Sequence, residues 1–345
     1  MPSPFTETLV SVIIPAHNAT ATLERTLHSA RSQTHQKLEI IVVDDASSDG
    51  TAALAAAHAS HDPRVKLISN PVCRGVGGAR NAGARESTGS VLCFIDADDL
   101  MVPDAIAARL ERMNETGAAM CYCWSAIIDG QDRITSTRYR PNLSGDIFPR
   151  LALGNFLGNG SCILVLKSAY EETGGYNERM FQLGAQGCED YQFYLDVARR
   201  HPVACVERFL IGYRELPGNM SSNTSTMMRS LKMVHEGLVR DFPELATQLH
   251  QSQIDLQLHF AVRNLRNGKW LEGARLLARI WPSLPYRTAL ALRRTLGLLR
   301  TAKADLKIND PFPFARADAP AGSRGELLTL PSGQQRDGTS IALLA

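Results

Sequence analysis

The chain has 345 residues, 44% of them apolar and 21% charged, which excludes a wholly disordered polypeptide and, at about 150 residues per domain, leaves room for two domains. Lysine plus arginine number 37 against 35 aspartates and glutamates, so the net charge of +2 supplies no overall field for gathering nucleic acid. No run of 18 or more apolar residues is present, which argues against a spanning helix, and the N-terminus MPSPFTETLVSVIIPAHN lacks the basic start, apolar region and cleavage site of a signal peptide.

The seven cysteines are odd in number and form no CxxC, so they read as small core side chains in a reducing cytosol. The expected location is therefore cytoplasmic. In chain order, residues 9–14 are an apolar run ending at Pro15, and Leu23, Leu27 and Ala30 follow at helical spacing. Residues 38–43 form a second apolar run ending in Asp44-Asp45, and 51–60 an Ala-rich helical stretch. Residues 64–68 predict a third strand, 81–86 a short helix and 90–95 a fourth strand, which ends in Asp96-Ala97-Asp98-Asp99. A helix starting near Pro103 buries Ile106, Leu110 and Met113 and stops at Gly117. Continuous apolar strands alternating with helices predict a mainly parallel sheet covered on both faces, with ligands beyond the carboxyl ends of its strands.

Residues 118–215 predict mixed structure. A hairpin turns at Asp129-Gly130 between 119–128 and 133–138, a strand covers 161–166, and a helix after Glu189-Asp190 carries Tyr191, Leu195 and Ala198 on one face. Strands at 203–206 and 209–213 follow. From 226 to 302 the spacing is helical, with Leu231, Val234 and Leu238, then Leu249, Leu256 and Phe260, and a break at Asn267-Gly268. Residues 287–307 set Arg287, Arg293, Arg294, Arg300, Lys303 and Lys307 among Leu and Ala. That pattern fits a solvated helix face or peripheral contact with the inner face of an anionic plasma membrane. Beyond Asp310 the composition predicts a disordered tail.

Asp96, Asp98 and Asp99 are like charges at the end of a buried strand, and a hard divalent cation is the simplest counter-charge. Such an ion stabilises charge on a departing diphosphate; a solvated helix-capping turn is the alternative. Asp44 and Asp45 either accept from a base or ribose, or cap the next helix with Ser47 and Ser48. Residues 73–81, CRGVGGARN, are glycine-rich but fit neither a dinucleotide fingerprint nor a phosphate loop, since Arg80 stands where a glycine belongs and no lysine follows. The expectation there is a surface turn whose Arg80 meets a phosphate or a base. Glu189-Asp190 either favours the helix dipole or supplies a general base.

Three segments, VSVIIPAHNATATLERTLHSARSQTHQKLEIIVVDDASSDGT, GVGGARNAGARESTGSVLCFIDADD and CEDYQFYLDVARR, together resemble the inverting family 2 glycosyltransferases over about residues 8–215. The resemblance implies an α/β fold: a Rossmann-like, mainly parallel GT-A sheet with flanking helices. The expected division is a GT-A domain at 1–223 (nucleotide half about 8–117, acceptor half about 118–223), a helical C-terminal region at 224–310 and a tail at 311–345.

It also implies roles. Pro15, Ala16, His17 and Asn18 resemble the loop around the nucleoside, with His17 replacing the usual Tyr or Phe. Asp44 and Asp45 match a VDD segment, with Asp45 as the contact to the base. Arg80 and Asn81 lie beside the nucleotide. Asp96, Ala97 and Asp98 match the DxD, with Asp99 adjacent and all three acids candidate ligands of Mn²⁺ or Mg²⁺. Glu189 and Asp190 match the ED pair, with Asp190 the base. Arg214 and Ser221, in YRELPGNMS, resemble a loop that closes over the diphosphate. The expected donor is a nucleotide-diphospho-sugar, by default a UDP-sugar. The acceptor is a hydroxyl of a glycan, a lipid-linked sugar or another glycoconjugate, as in bacterial surface polysaccharide or lipopolysaccharide synthesis. A non-catalytic nucleotide-sugar binder and a sugar nucleotidyltransferase are the alternatives. The absence of a QxxRW motif argues against a processive synthase.

Overall fold

The computed structural model describes residues 7–137, 140–216, 218–220, 223–266 and 268–280. The expected basic stretch at 287–307 and the tail at 311–345 lie outside the described residues. The first half alternates β1 (Val10–Ala16), α1 (Leu23–Arg31), β2 (Leu38–Asp45), α2 (Thr51–His61), β3 (Val65–Asn70), α3 (Gly75–Glu86), β4 (Val91–Phe94), β5 (Leu100–Met101) and α4 (Ala105–Thr116). Then come β6 (Met120–Ile128), β7 (Ile134–Ser136), α5 (Phe148–Leu151), β8 (Ile163–Leu166), α6 (Lys167–Thr173), α7 (Arg179–Gln182), α8 (Glu189–Ala198) and β9 (Val203–Arg214). Three helices close the described chain: α9 (Thr224–Asp241), α10 (Ala246–Arg266) and α11 (Trp270–Ile280). None of the helices among the described residues is long and apolar enough to cross a membrane.

The strands form one sheet in the order β3-β2-β1-β4-β8-β6-β9-β5, with β7 paired to β6. β3, β2, β1 and β4 run parallel, and β8 joins β4 antiparallel. Alternate residues of β1 feed two cores. Ile13 packs with α3, α8 and α9, whereas Val12 and Ile14 pack with α1 and α4. Both faces are thus covered, which is why β1 and β2 read as unbroken apolar runs. The two expected strands at 203–206 and 209–213 are one strand, β9, whose pairing with β6 shifts register at Cys123, Trp124 and Ser125.

The glycine-rich segment is not a surface turn. From Gly75 it is helix α3, and nine of its twelve residues are buried. A side chain at Gly83 would place its Cβ 2.5 Å from Ile13 Cγ2 and 3.1 Å from Val43 Cγ2, so glycine lets this helix lie directly on β1 and β2. Only tertiary contact could reveal this, because glycine lowers helix propensity by about 1 kcal/mol against alanine. Gly83→Ala should therefore lower stability by about 1–3 kcal/mol through overpacking, against the propensity gain. Thermal and urea melts check the sign.

Candidate functional site

Three adjacent parallel strands bring their carboxyl ends to one edge. β1 ends in Pro15 and Ala16, its neighbour β2 in Asp44 and Asp45, and its other neighbour β4 leads into residues 96–99. After β1, His17 donates from Nδ1 to the carbonyl of Asp45 over 2.8 Å while its ring stays exposed. Asn18 takes a left-handed φ of 51°, which asparagine tolerates, and its Oδ1 accepts from the Ser48 N–H at 2.9 Å. The two loops are therefore tied into one rim.

Asp45 does not face that rim. It is 2% exposed, and its carboxylate accepts from Asn70 Nδ2 at 2.7 Å, from the N–H groups of Arg74 and Gly75 at 2.9–3.1 Å, and from the Cys73 thiol. It holds the N-terminus of α3, where the orphan amides and the helix dipole favour a carboxylate. The expected contact of Asp45 with a base is corrected accordingly. Asp44 is 5% exposed, and its Oδ1 has no hydrogen-bond partner among the described residues. A buried acceptor left open in this way is suited to a donor from a ligand.

Asn81 is likewise committed to the protein. Its Nδ2 donates to the Tyr176 carbonyl and to Glu178, and its Oδ1 accepts from the Tyr170 hydroxyl and the Tyr176 N–H. It ties α3 to the turn after α6. Arg80, one residue earlier, is 3% exposed and donates from Nη2 to Asp96 Oδ1 at 2.6 Å. Its guanidinium lies over the Tyr176 ring at 5.0 Å and against Gly160, where any Cβ would collide with it. Gly160 lies in the stretch 158–161 expected beside the acceptor, whereas no motif singles out Tyr176.

The three acids after β4 separate into different roles. Asp99 is fully buried; it accepts from the Ser161 hydroxyl at 2.6 Å, from Asn159 Nδ2 at 3.3 Å and from the Arg214 N–H at 3.0 Å. Burial, then the neighbouring Asp98 and Asp96, push its carboxyl well above the usual range. Expected as a metal ligand, it is instead an internal brace. Asp98 is half-buried, and burial followed by Asp96 raises it to about 6. Asp96 is half-buried and carries the Arg80 ion pair.

Arg214 also differs from expectation. It is fully buried, donates from Nε to the Asp98 carbonyl at 2.6 Å and pairs with Asp132, which in turn holds Arg25 at 3.0 Å. It fixes the backbone of the acidic loop, and its Nη2 is buried with no hydrogen-bond partner among the described residues. Ser221 lies outside the described residues.

At the start of α8, Glu189 is 4% exposed and accepts from the Gly187 N–H at 2.6 Å. Asp190 is half-buried, and its Oδ1 accepts from the Tyr191 N–H at 2.7 Å. Burial raises its carboxyl to about 7; Arg80 pulls it back, and Glu189 and Asp96 push it further. Asp190, Arg80 and Asp96 thus sense one another's charge, and Asp98 senses Asp96. These four side chains therefore lie close together beyond the strand ends.

The donor set fits a hard divalent cation held by Asp98, with Asp96 beside it, and completed by water and phosphate oxygens. It does not fit a closed protein cage, since the described residues contain no group of three His, Cys, Asp or Glu able to hold a metal.

Two stability outcomes follow from the buried acids. Ser161→Ala removes a donor from the enclosed Asp99 carboxylate and should cost about 1–3 kcal/mol in urea unfolding. Burial raises the Asp190 carboxyl from its ordinary 3.8 to about 7, so its contribution is present at low pH and lost as pH rises through about 7. Asp190→Asn should therefore raise the melting temperature at about pH 8 more than at about pH 4, as read by scanning calorimetry.

Comparison with known proteins agrees with this architecture. The profile of glycosyl transferase family 2 matches residues 11–174. The chain is 41% identical over 109 residues to the succinoglycan biosynthesis protein ExoO of Rhizobium meliloti, covering 32% of this chain and 31% of that protein. It is 30% identical over 225 residues to an uncharacterized glycosyltransferase of Haemophilus influenzae, covering 62% of this chain and 68% of that protein. Escherichia coli WfaP, a UDP-Glc:alpha-D-GlcNAc-diphosphoundecaprenol beta-1,3-glucosyltransferase, is 38% identical over 105 residues, covering 30% of this chain and 41% of WfaP. The matched part thus spans about a third of ExoO and two fifths of WfaP. Among solved structures, S. aureus TarS 1-349 in complex with UDP-GlcNAc shares the fold with a TM-score of 0.56 at 16% identity, covering 86% of this chain and 88% of TarS 1-349. The mannosyltransferase PcManGT of Pyrobaculum calidifontis, in complex with GDP-Man and Mn²⁺, does so with a TM-score of 0.54 at 21% identity, covering 88% of this chain and 82% of PcManGT. By its strand order, its acidic strand ends and these matches, the chain belongs to glycosyl transferase family 2.

Proposed function

We propose that the protein transfers one sugar from a nucleoside-diphosphate donor, a UDP-sugar, to an acceptor hydroxyl with inversion at the anomeric carbon. The observation that carries this reading is the proximity of Asp190, raised to about 7, to the Arg80–Asp96 pair, with Asp98 beside Asp96. A carboxyl tuned near neutrality is suited to general-base work. Family membership supports the reaction class, and the UDP-GlcNAc complex of TarS supports the donor.

The chemistry divides among the chain's own residues. Asp190 takes the proton of the acceptor hydroxyl as that oxygen attacks the anomeric carbon. The nucleoside diphosphate departs in line on the opposite face, so one displacement inverts the centre. Asp44 Oδ1, open and buried, accepts from the nucleoside, and the exposed His17 ring flanks it. Arg80 keeps Asp96 in place. Asp98 and Asp96 would hold a divalent cation, which when bound would supply positive charge for the departing diphosphate. The names of ExoO and WfaP support a role in surface polysaccharide synthesis with a lipid-linked acceptor at the cytoplasmic membrane face.

Asp190→Asn should lower turnover by at least about 10²-fold while donor binding, measured by UDP titration with Mn²⁺, stays near the wild-type value. Unchanged turnover would remove Asp190 as the base. In the wild type, kcat should rise with pH through about 7 as Asp190 loses its proton, which a pH–rate profile checks.

A further inference from the structure

Beside the cleft, α9, α10 and α11 enclose a groove of about 880 Å³. Its lining is strongly cationic. Arg229 and Lys232 stand on α9, Lys269 precedes α11, and Arg275 and Arg279 sit one turn apart on α11, against the single carboxylate Glu272. Lys232 has a partner in Glu236 at 3.6 Å. No carboxylate among the described residues pairs with Lys269, Arg275 or Arg279, and all three are exposed.

Two further features distinguish this groove from an ordinary solvated face. Thr224 lines it, is only 7% exposed, and its hydroxyl has no hydrogen-bond partner among the described residues. Thr224 is also the first residue of an 18-residue helix, whose first amides and dipole favour an anion. Next to Lys269 on the rim, Trp270 and Leu271 are 69% and 65% exposed. A tryptophan and a leucine thrust into solvent beside lysine and arginine are the side chains that enter a lipid interface while the cations meet its phosphates.

We infer that the groove between α9, α10 and α11 seats the phosphate headgroup of a membrane lipid, with Trp270 and Leu271 entering the bilayer interface beside it. The surface lies close to the chemistry. Arg229 donates to the Gly184 carbonyl at 2.9 Å, and Ser230 Oγ accepts from the Cys188 N–H at 3.1 Å, so the first turns of α9 rest on the loop leading into Asp190. A protein held by this face would present its cleft to the headgroup layer. The inference goes beyond sugar transfer and holds whatever the donor is.

The test is flotation of the full chain with phosphatidylcholine vesicles, with and without phosphatidylglycerol, in the absence of any nucleotide sugar. Binding is expected only to the anionic vesicles and should fall as salt rises. The double variant Arg275→Glu/Arg279→Glu should bind at least about tenfold more weakly, and Trp270→Ser/Leu271→Ser should also lose affinity. All four positions are exposed, and melting curves verify that the variants fold. Wild-type vesicle affinity in the charge-reversed variant overturns the inference, because the contact then lies elsewhere on the chain. Full competition by inorganic pyrophosphate, or by an RNA homopolymer, overturns the lipid assignment in favour of free phosphate or a general polyanion. No arm uses the donor, so a failure here is separate from a failure of the transfer reading.

Discussion

The ion pair between the buried Arg80 and the half-buried Asp96 is the constraint on which the site depends. Removing two charges from water is costly, and the pair persists only where the surroundings satisfy and shield both partners. Here α3 delivers Arg80 from one side and the end of β4 delivers Asp96 from the other. Tyr176 offers its ring to the guanidinium, and Gly160 leaves the space for it. Asp190 on α8 then feels both charges. Five separate stretches of chain are registered to one another around this one contact, which lets a carboxyl on α8 be tuned by residues about a hundred positions away.

A second layer decides which acids remain open. Asp99 is spent on Ser161, Asn159 and the Arg214 amide, and Arg214 in turn grips the carbonyl of Asp98 and the carboxylate of Asp132. These bonds consume the deepest carboxylate and pin the loop, while Asp98 stays partly exposed. The same logic operates at β2. Asp45 holds the start of α3, and Asp44 keeps an unpartnered oxygen. In each acidic pair one member builds the structure and the other is left free for chemistry.

The helices after β9 are joined to this arrangement rather than appended to it. Met227, Leu231, Val234 and Leu238 of α9 share a core with Tyr191, Phe193 and Leu195 of α8. The helix that packs with α8 is therefore also one wall of the cationic groove. Packing on one of its faces steadies the chemistry, and charge on the other offers a surface to an anion.

The pattern of apolar runs and helical spacings was enough to set out the parallel half of the sheet, the acidic strand ends and the α8 face, because burial on both sides of a sheet imposes long apolar strands. Gly117 as a helix stop was legible for a similar reason: its φ of 66° is a backbone state that glycine adopts without strain. The fates of equivalent-looking acids were not legible. Asp44 and Asp45, or Asp98 and Asp99, have the same chemistry and adjacent positions, and only the direction each side chain takes in the folded chain separates ligand contact from brace. Only the second half of helix α3, 81–86, was legible as helix, since the glycines before it oppose a helix locally. Local propensity and burial periodicity are properties of a segment and can be read from it. Which hydrogen bonds a buried carboxylate completes depends on residues far away in the chain, and the tertiary structure alone brings them within reach.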